Sequence, residues 1–220
     1  MIENINDAVA LVVPLVLGLM AFRYMNLLYR IYFFQLLAYI IVYILGWIVV
    51  KLLGGTSNQW LYNISMPVET GFLTWAAYLY FKEEKRKYLI LIGFAAFMII
   101  YIIDIIMKGI LIIFNYGYIA ESALLVMIYL LVLYSHFIKQ SMNWQTSPEI
   151  WIGIGIVLYF GGVVPYFSLM HYLQSTHPTY SRELYEYIIE GLCTIRYLLL
   201  GFGFWLVRRN ALAKISIVNE

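Results

Sequence analysis

Long runs of apolar residues, cut by short polar breaks, constrain this chain more than any other feature. A helix needs about 20 apolar residues to cross the hydrocarbon of a bilayer. Seven runs of that size fit, at roughly 8–25, 31–53, 61–81, 88–107, 118–138, 150–170 and 184–207, to within about 2–4 residues at each end. Hydrocarbon offers the backbone no water partner, so helices and closed barrels are the forms that span it. Continuous runs of this length read as helices. The expectation is an all-α polytopic membrane protein with seven transmembrane helices. The breaks carry the chemistry of helix ends. Gly54-Gly55-Thr56-Ser57-Asn58 separates the second run from the third, and Ser147-Pro148-Glu149 opens the sixth with proline in its first turn.

Composition agrees. Of 220 residues, 64% are hydrophobic and 12% charged, where a soluble domain carries about 25% charged residues. The lipid bilayer is the expected surrounding. The net charge of +2 reflects loop residues that orient the chain, so nucleic acid is not an expected partner. The acidic start, Met1 to Asp7, lacks the basic segment of a signal peptide. A single cysteine, Cys193, leaves no intramolecular disulfide and no cysteine-based zinc site.

Lys and Arg concentrate on the cytoplasmic side of membrane proteins. The connections after the first, third and fifth runs, with the tail, hold Arg23, Arg30, Lys82, Lys85, Arg86, Lys87, Lys139, Arg208, Arg209 and Lys214; the other side holds Lys51, Lys108 and Arg182. Ten against three places the N-terminus outside and the C-terminus in the cytoplasm, in the inner (plasma) membrane of the cell. The organisation expected is one transmembrane domain over 1–207 and a short basic tail over 208–220. No segment has the length of a soluble domain. Output into the cell would therefore pass through a membrane or cytoplasmic signalling partner, or be the movement of a solute.

Three glutamates interrupt alternate runs: Glu69, Glu121 and Glu190. A carboxylate at membrane depth is costly and normally faces a bundle interior or a wet cavity. At about 1.5 Å per residue, Glu69 lies roughly 12 Å below its helix start, Glu190 roughly 9 Å, Glu121 roughly 5 Å and Arg196 roughly 18 Å. Helical side chains lean toward the N-terminus, which lifts Arg196 toward the level of Glu69. Six residues separate Glu190 from Arg196, which puts them on different faces, so Glu69 is the better partner. Pro67 removes a backbone donor and frees a carbonyl near Asn63, where a polar notch is expected. Pro165 does the same after Gly161-Gly162, and close packing is expected on those glycines. Together these features predict a cavity open to the outside. Its expected walls are the third, fifth, sixth and seventh helices, with Tyr62, Tyr116, Tyr118, Tyr159, Tyr166 and Tyr185. The candidate ligand-binding or polar-core residues are Glu69, Arg196, Glu190, Asn63, Glu121, Tyr62 and Tyr166.

Plainer readings stand beside these. An Arg196–Glu69 pair can be only a helix clamp, and Glu121 can sit in the interface near a helix start, where negative charge is favourable. Asp104 and Lys108, four apart, read as a structural ion pair. His136 reads as interfacial. His171 and His177 match no metal signature, and no metal is expected. Gly-rich phosphate loops and the HExxH, GxSxG and EF-hand patterns are missing. The last run has no lysine for a retinal Schiff base. Neither a cofactor nor a catalytic residue is expected. A faint echo relates Asn63 and Glu69-Thr70 to Asn115 and Glu121-Ser122 at the same spacing.

The stretch Leu61-Tyr62-Asn63-Ile64-Ser65-Met66-Pro67-Val68-Glu69 resembles a pattern in small bacterial seven-helix integral membrane proteins. So does Ser147-Pro148-Glu149-Ile150-Trp151-Ile152-Gly153, leading to Leu158-Tyr159-Phe160-Gly161-Gly162. Such proteins look like neighbours or membrane-sensor relatives of two-component histidine kinases, and the resemblance implies a sensor-like role with no catalytic residue. Pro67-Val68-Glu69 is also similar to a step in membrane carotenoid cyclases, whose motif pairs two acidic residues; here the second position is Thr70. The leading expectation is a sensor or receptor-like protein with an outward-facing polar cavity for a small or lipidic ligand. The alternatives are a small solute or cation-coupled transporter and an intramembrane lipid-modifying enzyme.

Overall fold

The computed structural model describes residues 5–54, 58–82, 84–112, 114–139, 144–176, 180 and 184–218. Among the described residues the chain forms seven α-helices. They are α1 (Ile5–Ala21), α2 (Leu27–Lys51), α3 (Gln59–Tyr80), α4 (Arg86–Lys108), α5 (Asn115–Lys139), α6 (Pro148–Thr176) and α7 (Gly191–Val218). A π-helical turn, Tyr185–Glu190, leads directly into α7. The helix ends follow local chemistry. Asn26 caps α2 by accepting the Tyr29 backbone N–H at 3.2 Å. Gly109, at φ +71°, stops α4 in a left-handed conformation that side chains resist.

Among the described residues, five of the seven helices have both the length and the apolar composition to cross a membrane: α2, α4, α5, α6 and the segment Tyr187–Ser216. The expectation of seven spans is corrected to five on those two criteria. The other two fail for separate reasons. α1 is short, with 17 residues. α3 is long enough at 22 residues, but Asn63, Ser65, Glu69, Thr70 and Thr74 dilute its hydropathy. The last helix, expected to stop near residue 207, continues to Val218. α6 likewise runs past residue 170 to Thr176.

α3 packs against α2, α4 and α5, while α7 packs against α1 and α6; α6 lies along α5 and joins the two groups. The core between them is aromatic, with Phe81, Phe97, Phe114, Tyr129, Phe160, Tyr197 and Phe204 fully buried. Close helix approach occurs where side chains vanish. A Cβ on Gly155 of α6 would sit 3.2 Å from the Arg196 carbonyl oxygen of α7, and one on Gly201 would sit 3.0 Å from Pro14 Cα of α1. The expected close packing on Gly161-Gly162 is half realised: Leu192 presses on Gly162, while Gly161 faces open space. The tight backbone approach beside the arginine is nearly two turns earlier, at Gly155.

Candidate functional site

Arg196 donates from a terminal guanidinium nitrogen to Glu69 Oε1 at 2.5 Å. α3 and α7 are not packed neighbours, so the long Arg196 side chain bridges the gap between them. Gln35 of α2 donates to the same oxygen at 3.1 Å. Three rings surround the guanidinium, those of Phe160, Tyr159 and Tyr197, at 4.9, 5.0 and 5.2 Å from its carbon. Arg196 is 4% exposed. A buried cation of this kind persists only when paired, and aromatic faces add to the pairing.

Glu121 stands close to this pair but not at the surface: it is 2% exposed. Its partner is Thr70, with 2.6 Å between Thr70 Oγ1 and Glu121 Oε1. Thr70 also donates to the Met66 carbonyl at 2.8 Å. Glu121 is thus enclosed within the bundle rather than exposed at its surface. α3 and α5 pack together, and that packing buries the first turns of α5 although they lie near a helix start. The repeated Glu-Thr and Glu-Ser steps thus lie in packed helices, with Thr70 on one carboxylate and next to the other.

The cavity beside this cluster, separated from the ion pair by Tyr159 and Tyr197, differs from the expected one. Its walls are Tyr39 and Tyr43 of α2, Ala10 and Leu11 of α1, Tyr62 of α3, Tyr159 of α6, and Cys193, Thr194 and Tyr197 of α7, with Ile189 and Glu190 from the π-turn. The volume is about 110 Å³. α1 and α2 take the place that α5 was expected to hold, because α5 is covered on its inner side by α3 and α6. Glu190 lines this cavity at the end of the π-turn. Such turns, in which one residue is added to a helix, concentrate at functional sites. Tyr62 and Tyr159 line it as expected. Tyr116 is exposed. Tyr118 and Tyr166 belong to a separate apolar cluster with Phe167, Val163 and Ile189. There Tyr118 stacks on Phe167 at 4.7 Å. The side chain of Tyr185 lies outside the described residues, as do His177 and the His171 side chain.

Asn63 does not open a notch beside Pro67. Its amide donates to the carbonyls of Ile110 and Ile112 at 2.8 and 2.7 Å, fastening the turn between α4 and α5. Asp104 serves the same turn: one oxygen accepts the Gly117 backbone N–H at 2.8 Å and the other pairs with Lys108 at 3.3 Å. An anion at the exposed N–H groups of a helix start is favourable.

A second polar cluster, at the opposite ends of the same helices, went unread in the sequence. His136 is buried, with Nε2 2.9 Å from Ser147 Oγ and Nδ1 3.5 Å from the Tyr80 hydroxyl. It is enclosed by its neighbours at the helix ends. The Tyr29 hydroxyl donates to Glu149, Arg86 donates to Ser135, and Asn210 donates to the Thr146 carbonyl at 2.9 Å. These bonds gather the ends of six helices. Each residue was visible in the sequence, but only alternating helix directions bring them together. Among the described residues, no group of three or more His, Cys, Asp or Glu is placed to hold a metal ion.

On the other side of Arg196 from the tyrosine-lined cavity, a void of about 10 Å³ is closed by Tyr32, Gln35, Leu73, Ile152, Ile156 and Leu200. That is room for about one water molecule. No protein family, no curated protein and no solved structure matches this chain.

Proposed function

We propose that this protein is a membrane-embedded sensor of the inner (plasma) membrane of a bacterium. The N-terminus is outside and the C-terminus in the cytoplasm. A small or lipidic ligand enters the tyrosine-lined cavity from outside and shifts α6 and α7 against α3. The Arg196–Glu69 pair is the element with two positions, and the basic inner end carries the change to a partner protein. One observation carries this reading: a buried ion pair bridges two helices that do not pack on each other, and Tyr159 and Tyr197, which ring its guanidinium, also line the tyrosine-lined cavity. Such a pair contributes little net stability but gives a ligand something to rearrange. A ligand shifts an equilibrium only by binding its two states unequally, and displacement of a buried charge supplies that inequality.

The test uses protein released from its own membranes and examined by native mass spectrometry. The wild type is expected to retain a small molecule that Arg196→Ala and Glu69→Gln, checked for folding by Tm, do not. Equal occupancy in all three overturns the reading. A carrier needs access to its site from both sides. The single-water void and the apolar residues beyond Arg196 favour the sensor over the transporter. Proton flux into proteoliposomes is accordingly expected at background.

A further inference from the structure

Tyr39 divides two hollows. On its far side from the tyrosine-lined cavity, α2 and α3 enclose a crevice of about 120 Å³. Its walls are apolar: Ala38, Val42, Leu61, Ile64, Val68 and Phe72. Its rim lies on the outer surface of the bundle, where the lining residues Ile64 and Val68 are exposed. An apolar rim on a membrane helix faces hydrocarbon, so the reservoir for this crevice is the bilayer itself.

The floor is polar. Gln35 and Glu69 lie there. Glu69 Oε1 accepts from both Arg196 and Gln35, while Oε2 holds no hydrogen bond among the described residues. The other polar groups are engaged: the Ser65 hydroxyl donates to the Tyr62 carbonyl at 2.9 Å, and the Tyr39 hydroxyl meets Cys193 Sγ at 3.5 Å. A molecule sliding in from the lipid therefore meets one acceptor oxygen at the end of an apolar slot.

The charge around that oxygen selects what can meet it. Arg196 already neutralises Glu69, so an entering cation would bring uncompensated charge into a dry site. An anion would face the carboxylate. A neutral donor completes the carboxylate and adds no charge. We infer that the α2–α3 crevice binds a neutral, membrane-dissolved molecule with an apolar body and a hydroxyl group, the hydroxyl donating to Glu69 Oε2. The head and first carbons occupy the slot, and the remaining body lies in hydrocarbon past Ile64 and Val68. This inference rests on the sensor reading only in taking Glu69 as the responsive group, and it gives the lipidic ligand a route from the bilayer through the α2–α3 crevice in place of the route from outside. The incoming donor adds a hydrogen bond to the same carboxylate that already accepts from Arg196 and Gln35, so its arrival is felt at the ion pair from within the membrane.

The experiment uses the full chain in phosphatidylcholine nanodiscs with a photoreactive, alkyne-tagged geranylgeraniol and its methyl ether. The alcohol is expected to label positions within 35–42 and 61–72, and the ether at least about tenfold less, the cost of losing one hydrogen bond to a charged acceptor. Val68→Trp narrows the exposed rim without touching the ion pair. It is expected to keep the wild-type Tm and to remove the alcohol labelling. Equal labelling by alcohol and ether, or labelling that Val68→Trp leaves intact, overturns the inference. Labelling as expected, in a wild type that retains no ligand from its own membranes, supports the crevice and removes the sensor reading. Retained ligand in a wild type that the alcohol does not label removes the crevice alone.

Discussion

Arg196 has one anionic hydrogen-bond partner and three aromatic neighbours, and this limits how it can be replaced. Removal of one member of a buried pair leaves the other uncompensated and costs about 3–5 kcal/mol, whereas replacing both with apolar residues is often neutral. Glu69→Leu and Arg196→Met are thus each expected to lower Tm sharply, and the double variant to recover most of the loss in detergent while retaining no ligand. A double variant no more stable than the singles would show that the pair holds the fold. Glu121 differs from Glu69. One arginine serves two carboxylates, and Glu69 takes it. Thr70 has one hydrogen and two oxygens within reach. Thr70 donates to one of them at a time, and it can hold the Met66 carbonyl while accepting from Glu121 when Glu121 carries a proton. Glu121→Gln, also a neutral donor, is expected to change stability by less than about 1 kcal/mol, as read by chemical denaturation. A loss comparable to that of Glu69→Gln would mean that Glu121 carries charge.

Helices meet where the chain supplies small residues and polar fasteners. Gly155 lets α6 lie against the backbone at Arg196, and Gly155→Val is expected to cost about 1–3 kcal/mol by overpacking. It should also weaken ligand retention, because the strain falls on the turn that carries the arginine. Asn63 fastens the α4–α5 turn by two bonds. Asn63→Ala is expected to speed amide hydrogen exchange at residues 108–117 and leave exchange at α7 unchanged. Acceleration spread over the whole bundle would assign Asn63 a larger role. At this scale the sequence was partly legible. The caps and breaks at Asn26, Gly109 and Pro148 marked helix ends through local backbone chemistry. The π-turn before Gly191 left no such mark, since it depends on how the turn packs rather than on any one residue.

The whole molecule poses the question of orientation. The proposed orientation, with the C-terminus in the cytoplasm, rests on ten basic residues against three. In a Cys193→Ala background, a membrane-impermeant maleimide applied to intact cells is expected to label Leu111→Cys and spare Lys85→Cys. Both positions are exposed. The reverse pattern would invert the topology and, with it, the side from which the tyrosine-lined cavity is reached. The same whole-molecule packing explains why the cavity walls were misassigned. Depth along each helix follows from counting residues, but which helices stand side by side does not. Tyr116, Tyr118 and Tyr166 have suitable depths and suitable chemistry, and the arrangement of α5 and α6 still turns them elsewhere.

The sequence by itself determined that the chain is a bundle of long apolar helices, where several of those helices stop, and that Arg196 needs a carboxylate on another helix. Hydropathy, caps and the cost of buried charge act locally or along one axis, so they can be read in one dimension. Only the tertiary structure decided that Glu121 is buried beside Thr70. It also decided that Asn63 holds a turn, that His136 is interior, and that α2 rather than α5 brings Gln35 and Tyr39 to the ion pair. Those outcomes depend on the lateral order of helices. That order is set by summed packing of many similar apolar faces, and no single residue records it.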